Sequence, residues 1–349
     1  MTYVLTISAI VLFLMTAIPM LKATTWIVRG LDFPRLQIAV LLLLWIIISS
    51  AGFVFGWQVS IIWWVLVIAC FFYQAWWVFP YSTLHKTEAD WIDPKVNMPK
   101  ITLLTSNVLM DNRNSKPLMD LIERHKPDVV ATLETDTWWQ TQLDTLEQYP
   151  YRMAHPLDNM YGMHIYSRLP LEDETIDFLV EDDIPSMSMR VRINDMRTIR
   201  LHVLHPRPPA PGENEQSIER DVELLLLAKH LQDLDEPVIV SGDLNDVAWS
   251  RTTRLFRRIS GMLDIRVGRG MLNTFHADFR FIRWPLDHVF VSTHFKVVKV
   301  KRLAHIGSDH FPVLATLALG KQDFTAPHLE LEDADHDLVK EILDTPTAE

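Results

Sequence analysis

The chain is poorest in cysteine. Cys70 is the only one in 349 residues, so no internal disulfide can form and cysteine usage does not report a redox compartment. Also missing is any Lys, Arg, Asp or Glu between Arg35 and Lys86. As one helix that run would rise about 75 Å, roughly twice what a bilayer accepts, so it must fold back on itself. Two spans fit, Leu36 to about Trp57 and Ser60 to about Tyr81, with Gly56-Trp57-Gln58 as the hairpin tip. A third uncharged run, Tyr3 to Met20, is just long enough for another span. It lacks the basic n-region and the small-x-small site of a cleaved signal peptide. With no ionisable Lys, Arg, Asp, Glu or His inside these spans, the N-terminal region reads as an anchor and not as a proton or ion pathway.

Trp26, Trp57, Trp63, Trp64, Trp76 and Trp77 lie in or beside the spans, as expected of aromatic belts at a bilayer interface. Lys22, Arg29 and Arg35 outweigh Asp32 in this region, so the −11 of the whole chain leaves −13 for the remainder. A domain that acidic repels a nucleic-acid backbone unless positive charge is concentrated locally or bound cations are used. The spans place the chain in a cell (inner) membrane as a multi-pass protein. Its orientation stays open: the positive-inside rule holds Lys22, Arg29 and Arg35 in the cytoplasm and the C-terminal domain with them, whereas envelope lipids as substrates would place that domain outside.

Four regions follow: an anchor at 1–81, a polar linker at 82–100 with Pro94 and Pro99, a domain at 101–320, and an acidic mobile tail at 321–349 with one amphipathic turn at Leu338 to Leu343. There is no internal repeat. Strand-like runs fall at Ile101–Ser106, Asp128–Leu133, Gly162–Ser167, Met187–Ile193, Thr198–Leu204, Val238 onward, Leu286–Ser292, Phe295–Leu303 and Phe311–Leu319. Helical spacing appears at Lys116–His125 and in Ile218, Val222, Leu225, Leu226 and Leu231. Strands that are partly neighbouring and partly separated by helices imply an α/β domain with a mixed sheet and helical outer layers.

One feature recurs. A strand ends at once in an acid, amide or histidine: ITLLTS runs into Asn107, DVVATL into Glu134, RLHVL into His205, VIVSG into Asp243 and Asn245, and WPL into Asp287, while Asp309 and His310 precede FPVLATL. Singly, each is more simply an Asx turn, a cap or a solvated loop acid. Together and in order, SNV at 106–108, LE at 133–134, YSRLP at 166–170, HP at 205–206, GDLN at 242–245, LDHV at 286–289 and SDH at 308–310 resemble the endonuclease/exonuclease/phosphatase superfamily, over roughly residues 101–319. The three spans and the HPRPP variant at 205–209 look most like its bacterial membrane-anchored branch.

The resemblance implies a four-layer α/β/β/α sandwich of DNase-I-like fold, preceded here by three transmembrane helices. It also implies hydrolysis of a phosphate ester, which needs a cation, an activated water and donors for the charge that builds on phosphorus. Hard oxygen ligands suit Mg²⁺ or Mn²⁺. Glu134 is the leading metal ligand, with Asn107 beside it and Asp309 as a further one. Asp243 would orient or deprotonate the attacking water and Asn245 would hold a phosphate oxygen. His310 would act as base or as cationic donor, paired with Asp287, and His205 would donate to the phosphate or leaving oxygen. Asp246 and Asp136 read as solvated loop acids, His164, His288 and His305 as packing or surface residues, and Arg168 as a buttress of the sheet. Arg207 either clamps a second phosphate or stiffens its proline-flanked loop.

Three functions compete. The first is a membrane-anchored, metal-dependent phosphoesterase acting on a lipid-linked or small-molecule phosphodiester, pyrophosphate or phosphomonoester. The second is a Mg²⁺-dependent nuclease on DNA or RNA, disfavoured by the acidic charge and supported only by Arg251, Arg254, Arg257 and Arg258 after the GDLN loop. The third is a non-catalytic anchored binding module. No protein partner can be inferred.

Overall fold

A computed structural model of the chain describes residues 1–21, 23–323 and 325–345; Lys22, used above in the charge rule, lies outside them. The N-terminal helices are α1 (Thr2–Ala17), the short α2 (Trp26–Gly30), α3 (Arg35–Val54) and α4 (Ile61–Val78). With their continuing turns, α1, α3 and α4 form stretches of 20, 20 and 21 residues with mean hydropathy 2.4, 2.3 and 1.8, long and apolar enough to cross a membrane. Ser60 caps α4 through Ile62 N–H, and Gly56 turns the α3–α4 hairpin at φ +76°.

These helices pack through Leu5, Ala9, Leu12, Ile38, Leu42, Trp45 and Val67. A polar tie joins all three near one end. Arg35 donates to Gln74 Oε1 at 3.1 Å, and the same amide donates to Thr16 Oγ1 at 3.2 Å. In an apolar surround such a bond is the alternative to an unsatisfied polar group.

The rest of the chain builds two sheets in the order β1 (Lys100–Asn107), α5 (Lys116–His125), β2 (Val129–Leu133), α6 (Thr137–Leu143), β3 (Tyr151–His155), β4 (Met163–Ser167), β5 (Leu171–Asp177), β6 (Ser186–Asn194), β7 (Arg197–Leu204), α7 (Ile218–Gln232), β8 (Val238–Asp243), α8 (Arg251–Ser260), β9 (Leu263–Asp264), β10 (Asp287–Val291), β11 (Phe295–Arg302), β12 (Val313–Leu319) and α9 (Asp333–Asp344). One sheet runs β11-β12-β1-β2-β4-β3 and the other β5-β6-β7-β8-β10-β9. Leu103, Val129, Ala131, Ile165, Met189, Leu201, Ile239 and Val289 fill the space between them, and Thr105 Oγ1 meets Ser241 Oγ across it at 2.7 Å. Helices α5 and α6 cover the first sheet and α7 and α8 the second, giving the four layers.

Strands β3 and β5 have no counterpart in the sequence reading. Both are sheet edges. In β5 the run Glu172-Asp173-Glu174 faces solvent across a register shift, so no apolar alternation marks it.

The two segments that flank the domain carry contacts of their own to it. The 321–349 segment, read as a mobile tail, carries α9 docked on α7 and α8, with Leu338 and Ile342 buried. Glu332 and Asp335 form a capping box at its start, and Asp335 accepts from Arg258 at 2.6 Å; the amphipathic turn read at Leu338 to Leu343 lies within this helix. The 82–100 segment is laid on the domain: Trp91 bridges to Val297, Ile92 N–H donates to Val297 O at 3.0 Å, and Glu88 pairs with buried Arg257.

The N-terminal helices and the domain share contacts. Trp249 Nε1 donates to Asp32 O at 2.8 Å and Tyr81 Oη to Ala248 O at 2.7 Å. Arg29 reaches Asp221 on α7 and Thr252 on α8. Val78, Tyr81, Val247, Trp249 and Leu286 form one apolar cluster across the junction.

Candidate active site

Strand register brings the polar strand ends together. In the first sheet β1 and β2 run parallel with Asn107 opposite Leu133, so Asn107 and Glu134 emerge side by side. In the second sheet β7 runs parallel to β8 with Leu204 opposite Gly242, which sets His205 beside Asp243. Antiparallel β10 pairs Asp287 directly with Asp243. Strand β12, antiparallel to β1, begins just after His310 and returns it to the same edge. Crevices outside the carboxyl ends of parallel strands are the ordinary place for ligands in such sheets.

Gly242 makes the approach of β7 and β8 possible. It sits at φ +148°, and a Cβ there would meet Leu204 O at 1.9 Å. Glu134 and Asn245 are themselves held at φ +58° and +50°, positions that cost local backbone energy and gather at functional sites.

The two histidines are held in opposite charge states. His310 places Nδ1 2.8 Å from Asp287 Oδ2 and Nε2 3.3 Å from Asp243 Oδ2. Burial works against its cation, but Asp243 and Asp287 outweigh that and push its pKa up to about 10. His205 is equally buried, and burial pushes it down to about 4, so it is neutral. Its Nε2 faces Asp243 and Glu134 at 3.8 and 3.9 Å, too far for a hydrogen bond, and its Nδ1 has no partner among the described residues. Titratable groups driven apart in this way mark acid and base assignments.

Burial raises the Asp243 carboxyl, but His310, His205, the Asn245 N–H at 2.9 Å and the Asn107 amide at 3.2 Å more than offset it, and its pKa is lowered. Glu134 goes the other way: burial pushes it up to about 7 although the Asn107 amide donates to it at 2.6 Å. Its Oε2 is buried with no partner among the described residues. A carboxylate lacking counter-charge, with Asp243 nearby and Asp309 raising its pKa further, is a donor set that fits a hard divalent cation.

Asp309 is half-buried, with Ser308 Oγ at 3.4 Å. Asp243, Asp287 and His310 offer ligand atoms within 4.8 Å of one another; there the His310 ring already stands between the two carboxylates. Asn107 is placed differently from a ligand. Leu109 N–H donates to its Oδ1 at 3.0 Å, which turns the amide N–H, not the oxygen, toward the carboxylates.

Residues 104–310 match the sequence pattern of the endonuclease/exonuclease/phosphatase family. The chain belongs to that family. It is a hydrolase acting on phosphate esters. No curated protein matches it in sequence. Its fold is that of the D. rerio TDP2 structure complexed with single-strand DNA product (15% identity, 62% of this chain and 98% of that one, TM-score 0.54). It is likewise that of the human Nocturnin catalytic domain with bound sulfate (16%, 66% and 98%, 0.53) and of an endonuclease/exonuclease/phosphatase from Beutenbergia cavernae DSM 12333 (16%, 68% and 76%, 0.54).

Around these strand-end residues lie several that the sequence did not announce. Arg220, fully buried on α7, donates to Asn245 O at 2.8 Å and pairs with Asp221 and Asp246. Asp246 is therefore not a solvated acid: it is buried and accepts from Ser250 Oγ at 2.5 Å at the start of α8. Asp136 is also buried, capping α6 through Trp139 N–H and pairing with Arg113 at 2.7 Å. Tyr161 lies 5.2 Å from the His205 ring and Phe275 4.9 Å from that of His310. Only burial could have flagged these, and burial is a property of the fold.

The remaining residues take structural places. His164 and His288 are buried on Thr135 and on Arg266 and Asp246 O, and His305 is exposed beside Ser308 O. Arg168 donates to Lys126 O at 3.3 Å. Arg207 is held by Glu181 and Asp183 and lies over Tyr161, which occupies it as a loop clasp. Of the α8 arginines, Arg257 is paired with Glu88 and Arg258 with Asp335, and all four lie on a helix that faces the N-terminal helices and α9.

Proposed function

We propose that the chain is a membrane-anchored phosphoesterase, dependent on Mg²⁺ or Mn²⁺, whose substrate is a phosphodiester, pyrophosphate or phosphomonoester carried by a membrane lipid or a small molecule at the membrane surface. The observation that carries the lipid-side reading is a line of rings from anchor to active site. Phe33, between α2 and α3, meets Trp284 at 5.5 Å; Trp284 stacks on Phe275 at 6.2 Å; Phe275 touches His310. In the same loop Phe279, Phe281 and Ile282 are exposed, and Gln37, in the first turn of α3, donates to Phe281 O at 3.2 Å. The catalytic mouth therefore opens where three candidate spans end, beside an apolar loop tip suited to a bilayer surface.

The residues divide the work as follows. Asp243, held ionised, takes the proton of the attacking water as its oxygen bonds to phosphorus. His310, an imidazolium fixed by Asp287, donates to the non-bridging oxygens as charge builds on them. Asn245 has a second amide N–H for a phosphate oxygen beyond the one given to Pro206 O. Neutral His205 hydrogen-bonds from Nε2 to the leaving oxygen as its bond to phosphorus breaks, and that oxygen takes its proton from solvent, to which Asp243 returns the one it accepted from the attacking water. A divalent cation, when bound, would neutralise phosphate oxygens. Glu134 would hold it together with Asp309, and Asn107 either orients the carboxylates through its N–H or ligates after turning its amide over.

The nuclease alternative wants a basic groove, and the α8 arginines that suggested one face the N-terminal helices and α9, with Arg257 and Arg258 paired to Glu88 and Asp335. The test is turnover by the full chain with Mg²⁺ or Mn²⁺ against a generic phosphodiester, a phosphomonoester, a polyprenyl pyrophosphate and plasmid DNA, beside Asp243→Asn and His310→Ala. Metal-dependent turnover lost in both variants supports the phosphoesterase. Plasmid nicking as the dominant activity favours the nuclease. No turnover, with no metal-induced rise in melting temperature, leaves the binding module.

A further inference from the structure

We infer that a cleft between α8 and the ends of the three apolar helices binds the phosphate of an anionic membrane phospholipid, at a place separate from the catalytic mouth. The inference rests on the reading of α1, α3 and α4 as membrane spans. The cleft encloses about 380 Å³ and contains none of the strand-end residues, and that volume lies within the roughly 300–1,000 Å³ usual for ligand sites. Its walls come from the end of α1 at Pro19 and Met20, from Arg29 and Arg35, from Tyr73 and Trp77 near the end of α4, and from α8 and the start of α9. These are the ends of all three spans on one side, the level at which phospholipid headgroups lie.

The charge is uneven. Five arginines line the cleft against Asp32, Glu332 and Asp335. Arg29 is taken by Asp221, Arg35 by Asp32 and Arg258 by Asp335. Arg254 has no carboxylate within ion-pair distance among the described residues and rests on the Trp77 ring at 5.0 Å, and the nearest acid to Arg251 is Glu341 at 3.9 Å. Burial, with other arginines close by, lowers the pKa of both. Half-buried cations without an anion are costly.

Unused hydrogen-bond donors point the same way. Arg35 Nε, Arg258 Nε and Trp77 Nε1 are buried without an acceptor among the described residues, and all three side chains line this one cleft. Arg35 is only 4% exposed. Three orphaned donors, one guanidinium group without an ion pair (Arg254) and one held only by a long contact to Glu341 (Arg251) ask for a compact anion with several acceptor oxygens, which is a phosphate ester. The apolar wall at Pro19 and Met20 leads onto the exposed faces of α1 and α4, where acyl chains continue.

The full chain in nanodiscs of equal phosphatidylglycerol and phosphatidylcholine, released in a native mass spectrometer, tests this by the lipids it keeps. Both lipids present the same phosphodiester, but phosphatidylcholine adds a quaternary ammonium that the cleft's arginines repel, so we expect phosphatidylglycerol to be retained about tenfold over phosphatidylcholine, and parity in Arg251→Gln/Arg254→Gln. Equal retention by the unaltered chain overturns the inference whether or not the variant folds. So does a preference that survives in a variant with an unchanged melting temperature, and so does loss of the lipid to excess inorganic phosphate, which would mark a soluble-phosphate site. A chain that enters the nanodiscs but shows no preference fails this inference alone; a chain that stays outside them fails the membrane anchor first.

Discussion

The imidazole of His310 stands between two buried carboxylates, its Nδ1 2.8 Å from Asp287 and its Nε2 3.3 Å from Asp243. That placement holds the ring protonated far above the ordinary histidine range. Asp287→Asn keeps the shape and removes one of the two charges. We expect turnover to fall about 10²- to 10⁴-fold. The pH profile should change as well: a raised pKa means the needed proton is present below it, so the unaltered enzyme keeps activity toward pH 9, whereas the variant loses activity as pH rises through neutrality. A profile with an unmoved alkaline limb contradicts His310 as cationic donor.

Glu134 is the carboxylate with a missing counter-charge. Mg²⁺ or Mn²⁺ should raise the melting temperature of the full chain, and Glu134→Gln should abolish that rise while leaving the metal-free melting temperature equal or higher, since burial already opposes the charge. An undiminished metal-induced rise in the variant would exclude Glu134 as the principal ligand of the cation.

Arg220 neutralises Asp221 and Asp246 and holds the Asn245 carbonyl. Arg220→Met leaves buried acids underpaired and should cost about 3–5 kcal/mol, read as a large drop in melting temperature together with loss of turnover. A loss below about 1 kcal/mol would mean that Arg29 and Ser250 suffice to hold those acids.

Glu223 on α7 is fully buried, and burial pushes its pKa up to about 8. Its folded form prefers the proton, so this residue's contribution to stability is greatest below the unfolded carboxyl pKa and declines as pH rises from about 4.5 to 8, by up to about 1.4 kcal/mol per pH unit. Glu223→Gln should therefore melt with the unaltered chain near pH 4 and above it at pH 8. Parallel melting curves across that range would show that Glu223 has a partner in solution.

Much of the site was legible because its residues sit at strand ends. A strand such as Val238–Asp243 announces itself by small apolar residues, and the loop polarity that follows is abrupt; the same holds for Asn107, Glu134, His205, Asp287 and His310. What the sequence hid was whatever depends on packing across elements. Asp246 and Asp136 look like loop acids until Arg220, Ser250 and Arg113 close around them. The tail shows an amphipathic turn at Leu338 to Leu343, but not that Leu338 and Ile342 pack against α7 and α8. The α8 arginines look like a nucleic-acid face, and only the positions of Glu88, Asp335 and Trp77 reveal that they belong to the seam with the anchor.

The most direct measurement is turnover of one phosphate ester presented in two ways, as a soluble headgroup and as the same headgroup on a lipid in vesicles, by the full chain and by Phe281→Asp. Phe281 is 85% exposed, so the substitution should leave folding and the soluble reaction unchanged. We predict faster turnover of the vesicle substrate by the unaltered chain and a selective loss of that advantage, about tenfold or more, when a charge replaces the apolar tip. Equal rates on both presentations, unaltered by Phe281→Asp, would contradict a catalytic mouth that works at the membrane surface.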